Sequence, residues 1–337
     1  MSTWDPVVLA TAAVAALCLL FLLAALPAWV QQVQDRLIFR DGDWVRADRW
    51  LRLCGALLPE WNRQFASLAI AEFSGRTAVA LQEAERLAST SRELASVNQC
   101  VTVFINAGRY ERALDVAAPW TDPPSQPARS LWALLQVNTA EAEYNLGRWH
   151  DALARLDRMR AAFIPVGIVN AGDWQQRAWI LVHLGQTADA RAAASEVDPA
   201  DLPYVFHAEH QFTLGRVSLA AGEATHALAC VDAGLRVARR ASSMRNGLFL
   251  RARFRAATGD VAAALDDFEK AANMPYQAQG GDGLLAWGDL LRTLGREAEA
   301  RRAFALVEER DPESESARHA RERLAHRLEA DAREAAS

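Results

Sequence analysis

The sequence predicts an all-α chain: an α-solenoid of about eight helix-turn-helix repeats, with an apolar helix before it and a charged capping helix after it. Two periodic signals carry this expectation. Glycines recur at Gly42, Gly75, Gly108, Gly147, Gly185, Gly222, Gly259 and Gly295, spaced 33 to 39 residues apart. Five residues after each stands an alanine: Ala47, Ala80, Ala113, Ala152, Ala190, Ala227, Ala264 and Ala300. Self-similarity at this period marks small units that cannot bury their apolar faces alone and so stack on their neighbours. A third observation is negative: no alternation of strand and helix patterns supports a nucleotide-binding fold.

A single compact core would be near its size limit at 337 residues, but a solenoid has no such limit because each unit packs only on the next. With 51% hydrophobic and 23% charged residues the chain has the composition of a folded protein. Its net charge of −5 gives no general attraction for phosphates, which disfavours a nucleic-acid partner. Cys18, Cys54, Cys100 and Cys230 are far apart and form no C-x-x-C pair, so neither a disulfide framework nor a zinc site is expected.

Residues 1–30 are read as a membrane anchor. From Pro6 to Gln34 no residue is charged, and Val7 to Val30 is nearly continuously apolar. About 20 helical residues cross the hydrocarbon layer, so the stretch spans with some tilt. A cleaved signal peptide would want a basic start and small residues at the cleavage site, but the chain begins MSTWDP and Leu26 precedes Pro27-Ala28. Only Asp5 is charged before the span, whereas Arg36, Arg40, Arg46, Arg49 and Arg52 follow it. Arginines beside a span tend to remain cytoplasmic, so the repeats are expected in the cytoplasm, beneath a bacterial inner membrane, with the N-terminus outside.

Residues 31–312 hold the repeats. Glycine can take positive φ where the first helix of a hairpin ends, and alanine lets the second helix approach closely. Counting back from Gly42 places the first helix over Trp29 to Phe39, continuous with the anchor. Thr121 to Pro127, Ile164 to Gly172, Asp198 to Pro203 and Pro275 to Gly283 read as loops from their Pro, Gly and Asp content. Residues 313–337 are charged, with Leu324 and Leu328 among their few large apolar residues, and read as a solvating capping helix and tail.

The segments Gly108-Arg109-Tyr110-Glu111-Arg112-Ala113-Leu114, Gly147 to Leu153 and Gly42 to Ala47 resemble the tetratricopeptide repeat. Ala140, Ala178, Gly215, Ala252 and Gly288 stand seven residues before a glycine, where that family has a small residue. Pro59 and Pro312 stand seventeen after one, where it has proline. The frames between 108 and 259 are longer than the family's, and Asp35 replaces the small residue in the first. The whole is similar to membrane-anchored bacterial tetratricopeptide proteins, although it lacks the paired cysteines that some of them carry in a zinc knob.

In that family the first helix of each hairpin lines a concave groove for peptides. The resemblance therefore implies a partner-binding groove at Asn106, at Tyr144 and Asn145 beside Glu141, and at Trp179 and His183. Phe212 and Arg216, Phe249 and Arg253, and finally Arg292 continue it. Tyr144, Trp179, Phe212 and Phe249 would make an aromatic platform, although aromatics at helical spacing more often belong to a core. Arg216 and Arg253 share one offset in successive repeats and would converge on one carboxylate, unless Arg216 instead neutralises Glu209.

The expected function is a membrane-anchored scaffold for protein or peptide partners, possible settings being envelope biogenesis, secretion or regulated proteolysis. A periplasm-facing chaperone or assembly factor is the alternative. No catalytic residue, cofactor or small-molecule substrate is expected. The only motif for an enzyme is His207-Ala208-Glu209-His210, whose histidines at i and i+3 have metal-ligand spacing but lack the H-E-x-x-H order and a third ligand.

Overall fold

The computed structural model describes residues 26–37, 43–74, 76–125, 128–163, 173–198, 202, 206–238, 241–274, 281–310 and 312–335. Among them are helices and turns and no strand. The chain divides into two compact units, Met1–Arg76 and Thr77–Ser337.

In the first unit, residues 26–37 form α1, ending in a π turn, followed by α2 (Trp44–Cys54) and α3 (Glu60–Phe73). Asp43 starts α2: its carboxylate accepts the Arg46 N–H at 3.0 Å, satisfying a donor the helix itself leaves open. Ala47 is fully buried against Ala66, Ala69 and Ile70, which lets α2 lie close on α3. Side-chain amides hold α1: Gln34 donates to the Ala47 carbonyl at 3.3 Å and Asn62 to Gln31 Oε1 at 2.8 Å. Of the expected membrane span, residues 7–25 lie outside the described residues and 26–30 begin α1. No helix among the described residues is long and apolar enough to cross a membrane.

The second unit runs from α4 (Thr77–Thr90) through six helical hairpins. These are α5 (Leu94–Asn106) with α6 (Tyr110–Ala117), α7 (Arg129–Asn145) with α8 (Trp149–Phe163), and α9 (Asp173–His183) with α10 (Thr187–Ala194). Then come α11 (His207–Ala220) with α12 (Ala224–Val237), α13 (Ala241–Ala257) with α14 (Val261–Ala272), and α15 (Gly281–Thr293) with α16 (Glu297–Arg310). α17 (Glu315–Ala335) follows.

All six hairpins turn by one device. Gly108, Gly147, Gly185, Gly222, Gly259 and Gly295 have φ between 68° and 88°. At the first turn the Gly108 N–H donates to the Ile105 carbonyl at 2.9 Å and the Arg109 N–H to that of Phe104 at 2.7 Å, and the same two bonds recur at each of the others. This is the left-handed helix stop in which a backward bond satisfies carbonyls the helix leaves open. The alanines five residues later, from Ala80 to Ala300, are 0–1% exposed. Partner helices come close where these alanines lie: a Cβ on Gly215 would fall 3.1 Å from the Ala227 carbonyl oxygen.

One loop reading needs correction. Gly281, Asp282 and Gly283 form the first turn of α15, not the end of a loop. Their glycines serve contact: a Cβ at 283 would fall 2.3 Å from the Phe249 ring, and one at 281 would fall 2.6 Å from Ser316 Cβ.

α17 caps α15 and α16 through Ala317 and Ala320, both fully buried. Its start does more than cap. The Glu315 N–H donates to the Gly108 carbonyl at 3.3 Å, and Arg109 pairs with Glu313 at 2.9 Å across 204 residues of chain. Ser316 donates to Asp282 Oδ1 at 2.7 Å. The last helix of this unit thus returns to the turn of its first hairpin, and the inner helices α5, α7, α9, α11, α13 and α15 enclose a lumen.

Candidate functional site

The lumen is a cavity of about 220 Å³ into which α5, α7, α9, α11, α13, α15 and the start of α17 all send side chains. A second hollow of about 430 Å³ adjoins it toward the hairpin turns, with Val182, Leu219 and Phe254 giving it an apolar wall. Tyr144, Trp179, Arg216, Leu250 and Arg253 are common to both, so they form the partition between them.

The partition is built as a stack. Trp179 is fixed by its indole N–H donating to Thr213 Oγ1 at 3.1 Å. The Arg216 guanidinium lies 4.5 Å over the Trp179 ring, a cation–π contact, and donates to the Tyr144 hydroxyl. Tyr144 stands 6.3 Å from Trp179 and edge-on to His183 at 5.1 Å, and Trp149 closes the stack 5.0 Å behind His183. Burial pushes the Arg216 guanidinium below its usual range. Burial, then the charges of Arg216 and Arg253, push the His183 imidazole down, which keeps it neutral.

Among the described residues neither Arg216 nor Arg253 pairs with a carboxylate. Glu141, one turn before Tyr144, has no side-chain partner either, and burial alone pushes its carboxyl up to about 7. It keeps some contact with lumen solvent while protein surrounds it on all sides, which is how a partly exposed group can be so strongly desolvated. Glu209 and Asp282 line the same lumen, each accepting a serine hydroxyl, from Ser243 at 2.6 Å and from Ser316 at 2.7 Å.

Nine groove residues named from the sequence line the lumen: Glu141, Tyr144, Asn145, Trp179, Glu209, Phe212, Arg216, Phe249 and Arg253. His183 lines the outer hollow. Phe212 and Phe249 are only 5% exposed and belong to the packing between repeats, so the aromatic platform reduces to Tyr144 and Trp179. Asn145 donates to the Glu141 carbonyl at 2.8 Å. Asn106 ends α5 and is absent from both linings, and Arg292 points away, paired with Asp289 at 2.8 Å and 5.8 Å from the Phe304 ring. Arg216 does not pair with Glu209, because it is turned onto Trp179 instead. Of the histidine pair, His207 Nε2 donates to the Leu202 carbonyl at 3.0 Å and His210 is buried edge-on to Trp174 at 5.1 Å.

The sequence reading missed Asp282, Asn246, Ser314 and Ser316. The two serines lie past the last repeated glycine, where the period carries no signal.

No protein-family model matches the chain, and no curated protein matches it. Two solved structures align with it over most of its length. A tetratricopeptide repeat protein from Parabacteroides merdae is 14% identical, covers 78% of this chain and 98% of its own, and has a TM-score of 0.49. The C-terminal part of a repeat-containing protein from Cytophaga hutchinsonii is 15% identical, covers 76% of this chain and 98% of its own, and has a TM-score of 0.36. Likenesses at this level carry no functional argument. The description of the chain as a tetratricopeptide-like helical array rests on its own glycine turns and buried alanines.

Proposed function

We propose that the chain is a membrane-anchored repeat scaffold that binds protein partners through the inner face of its array, with the repeats in the cytoplasm. One observation carries the binding reading: Arg216 and Arg253 stand together at an apolar-walled hollow with no carboxylate of their own. A partner that places an acidic side chain there, beside an apolar one against Val182, Leu219 and Phe254, matches that chemistry. The anchor reading is supported by the uncharged stretch from Pro6 to Gln34 and the arginines that follow it. Envelope biogenesis, secretion and regulated proteolysis are settings in which such a scaffold acts.

Crosslinking and pull-down of the full chain from its native membrane tests this. The expected result is a defined set of partners whose recovery falls at least ~10-fold when Arg216 and Arg253 are both changed to Glu, in keeping with the loss of a desolvated charge pair. Equal recovery with the double variant contradicts the site. A reporter fused after Ser337 tests orientation: activity in the periplasm instead of the cytoplasm would reverse the topology and favour a periplasmic assembly factor.

A further inference from the structure

We infer that the lumen binds a small zwitterion: a molecule of amino-acid or dipeptide size carrying one acid group and one protonated amine. This goes beyond the scaffold reading and needs no protein partner.

Size comes first. The α17 start is seated on the α5–α6 turn, through the Arg109–Glu313 pair and the Glu315 N–H on the Gly108 carbonyl, and narrows the inner face. What remains inside is about 220 Å³. That admits a solute of amino-acid or dipeptide size.

Charge comes second. Among the described residues the lumen carries two cations paired with no carboxylate, Arg216 and Arg253, and three acids, of which Glu209 and Asp282 accept serine hydroxyls and Glu141 is engaged by no side chain. Arg216, Arg253, Glu141 and Asp282 all act electrostatically on the Tyr144 hydroxyl, which places opposite charges around one point rather than in separate patches. These charges form no ion pair with one another: Arg216 lies 4.5 Å over Trp179, Asp282 is turned to Ser316, and Glu141 is left desolvated enough for its carboxyl to be pushed up to about 7. A ligand acid group meets the Arg216 and Arg253 guanidiniums, and a ligand ammonium meets Glu141. A simple acid or a simple amine satisfies only half of the site and leaves the other half buried and unpaired. Because Arg216 and Arg253 also face the outer hollow, the ligand's acid group and an acidic side chain of a partner compete for the same two guanidiniums.

The test uses the full chain in nanodiscs, with thermal unfolding and Trp fluorescence as readouts. The probes are the twenty genetically encoded amino acids and dialanine at millimolar concentration, with propionate and propylamine as single-group controls. The expected result is that at least one zwitterion raises the unfolding temperature by mass action while propionate and propylamine do not. Glu141→Gln and Arg216→Gln should each weaken that ligand ~30-fold or more, with helicity retained. Should Arg216→Gln fail to fold, Arg253→Gln, exposed at the lumen wall, takes its place. No response to any probe overturns the inference, as does a response that survives both substitutions. A chain that binds a zwitterion but recovers no partner would sink only the scaffold reading, and the reverse result only this one.

Discussion

Asp267→Ala is expected to destabilise the second unit by about 3 kcal/mol, among the largest effects of any single substitution in it. Asp267 is fully buried on α14. It accepts Arg251 Nε at 2.8 Å and Nη2 at 2.7 Å, a forked pair, and Arg255 Nη1 at 2.7 Å. Arg251 also reaches Asp232 on α12 at 2.7 Å, so its guanidinium ties three helices together. The Asp267 bonds hold the Arg251 guanidinium above its usual range, the sign of a charge that the fold stabilises. Removing the carboxylate leaves two arginines directed into a site they can no longer neutralise. Partial exposure of both arginines lets water recover some of that cost, which is why the expectation lies at the low end for a broken buried pair. Urea denaturation, with hydrogen exchange in α13 and α14, measures it. A change below about 1 kcal/mol would mean the cluster is peripheral to stability.

Phe212→Ala should cost a comparable 3–5 kcal/mol. The Phe212 ring enters from α11 and fills a slot shaped by two glycines: a Cβ on Gly234 would lie 2.5 Å from it, and one on Gly247 also 2.5 Å. Ala208, Val231, Leu250 and Phe254 complete the pocket. Truncation leaves a cavity that helices held by a repeat on either side cannot close. Tyr144→Phe, on the same inner face, keeps the ring but takes from Arg216 its hydroxyl acceptor, so it should cost about 1–2 kcal/mol, clearly less than Phe212→Ala. If the two substitutions behave alike, Phe212 is a surface residue and the packing described here is wrong.

That contrast shows where the sequence could be read and where it could not. The six glycines from Gly108 to Gly295 and their alanines specified the hairpins, Gly42 and Gly75 lying outside the described residues, because each signal is local: a turn needs positive φ, and a close helix pair needs a small side chain five residues later. Offsets from the glycines found the inner helix faces for the same reason. They could not separate Phe212 and Phe249, which tilt into the gaps between repeats, from Tyr144 and Trp179, which do not. That distinction depends on Gly234, Gly247 and Gly283, glycines outside the beat that make room for the rings. Gly281-Asp282-Gly283 misled in the same way, since glycine marks both a loop and a close contact. Closure by α17 was illegible because Gly108 and Ser314 are distant in sequence and their contact depends on the accumulated curvature of the hairpins between them.

That closure is the claim on which the lumen and its charges depend, and crosslinking tests it most directly. In a chain whose native cysteines are replaced by serine, Arg109→Cys and Glu313→Cys are introduced and treated with a short bifunctional maleimide. The account predicts an intramolecular crosslink joining the α5–α6 turn to the start of α17, formed at a rate independent of protein concentration. Absence of that link, while each cysteine still reacts singly, would show an open array and remove the enclosed cavity.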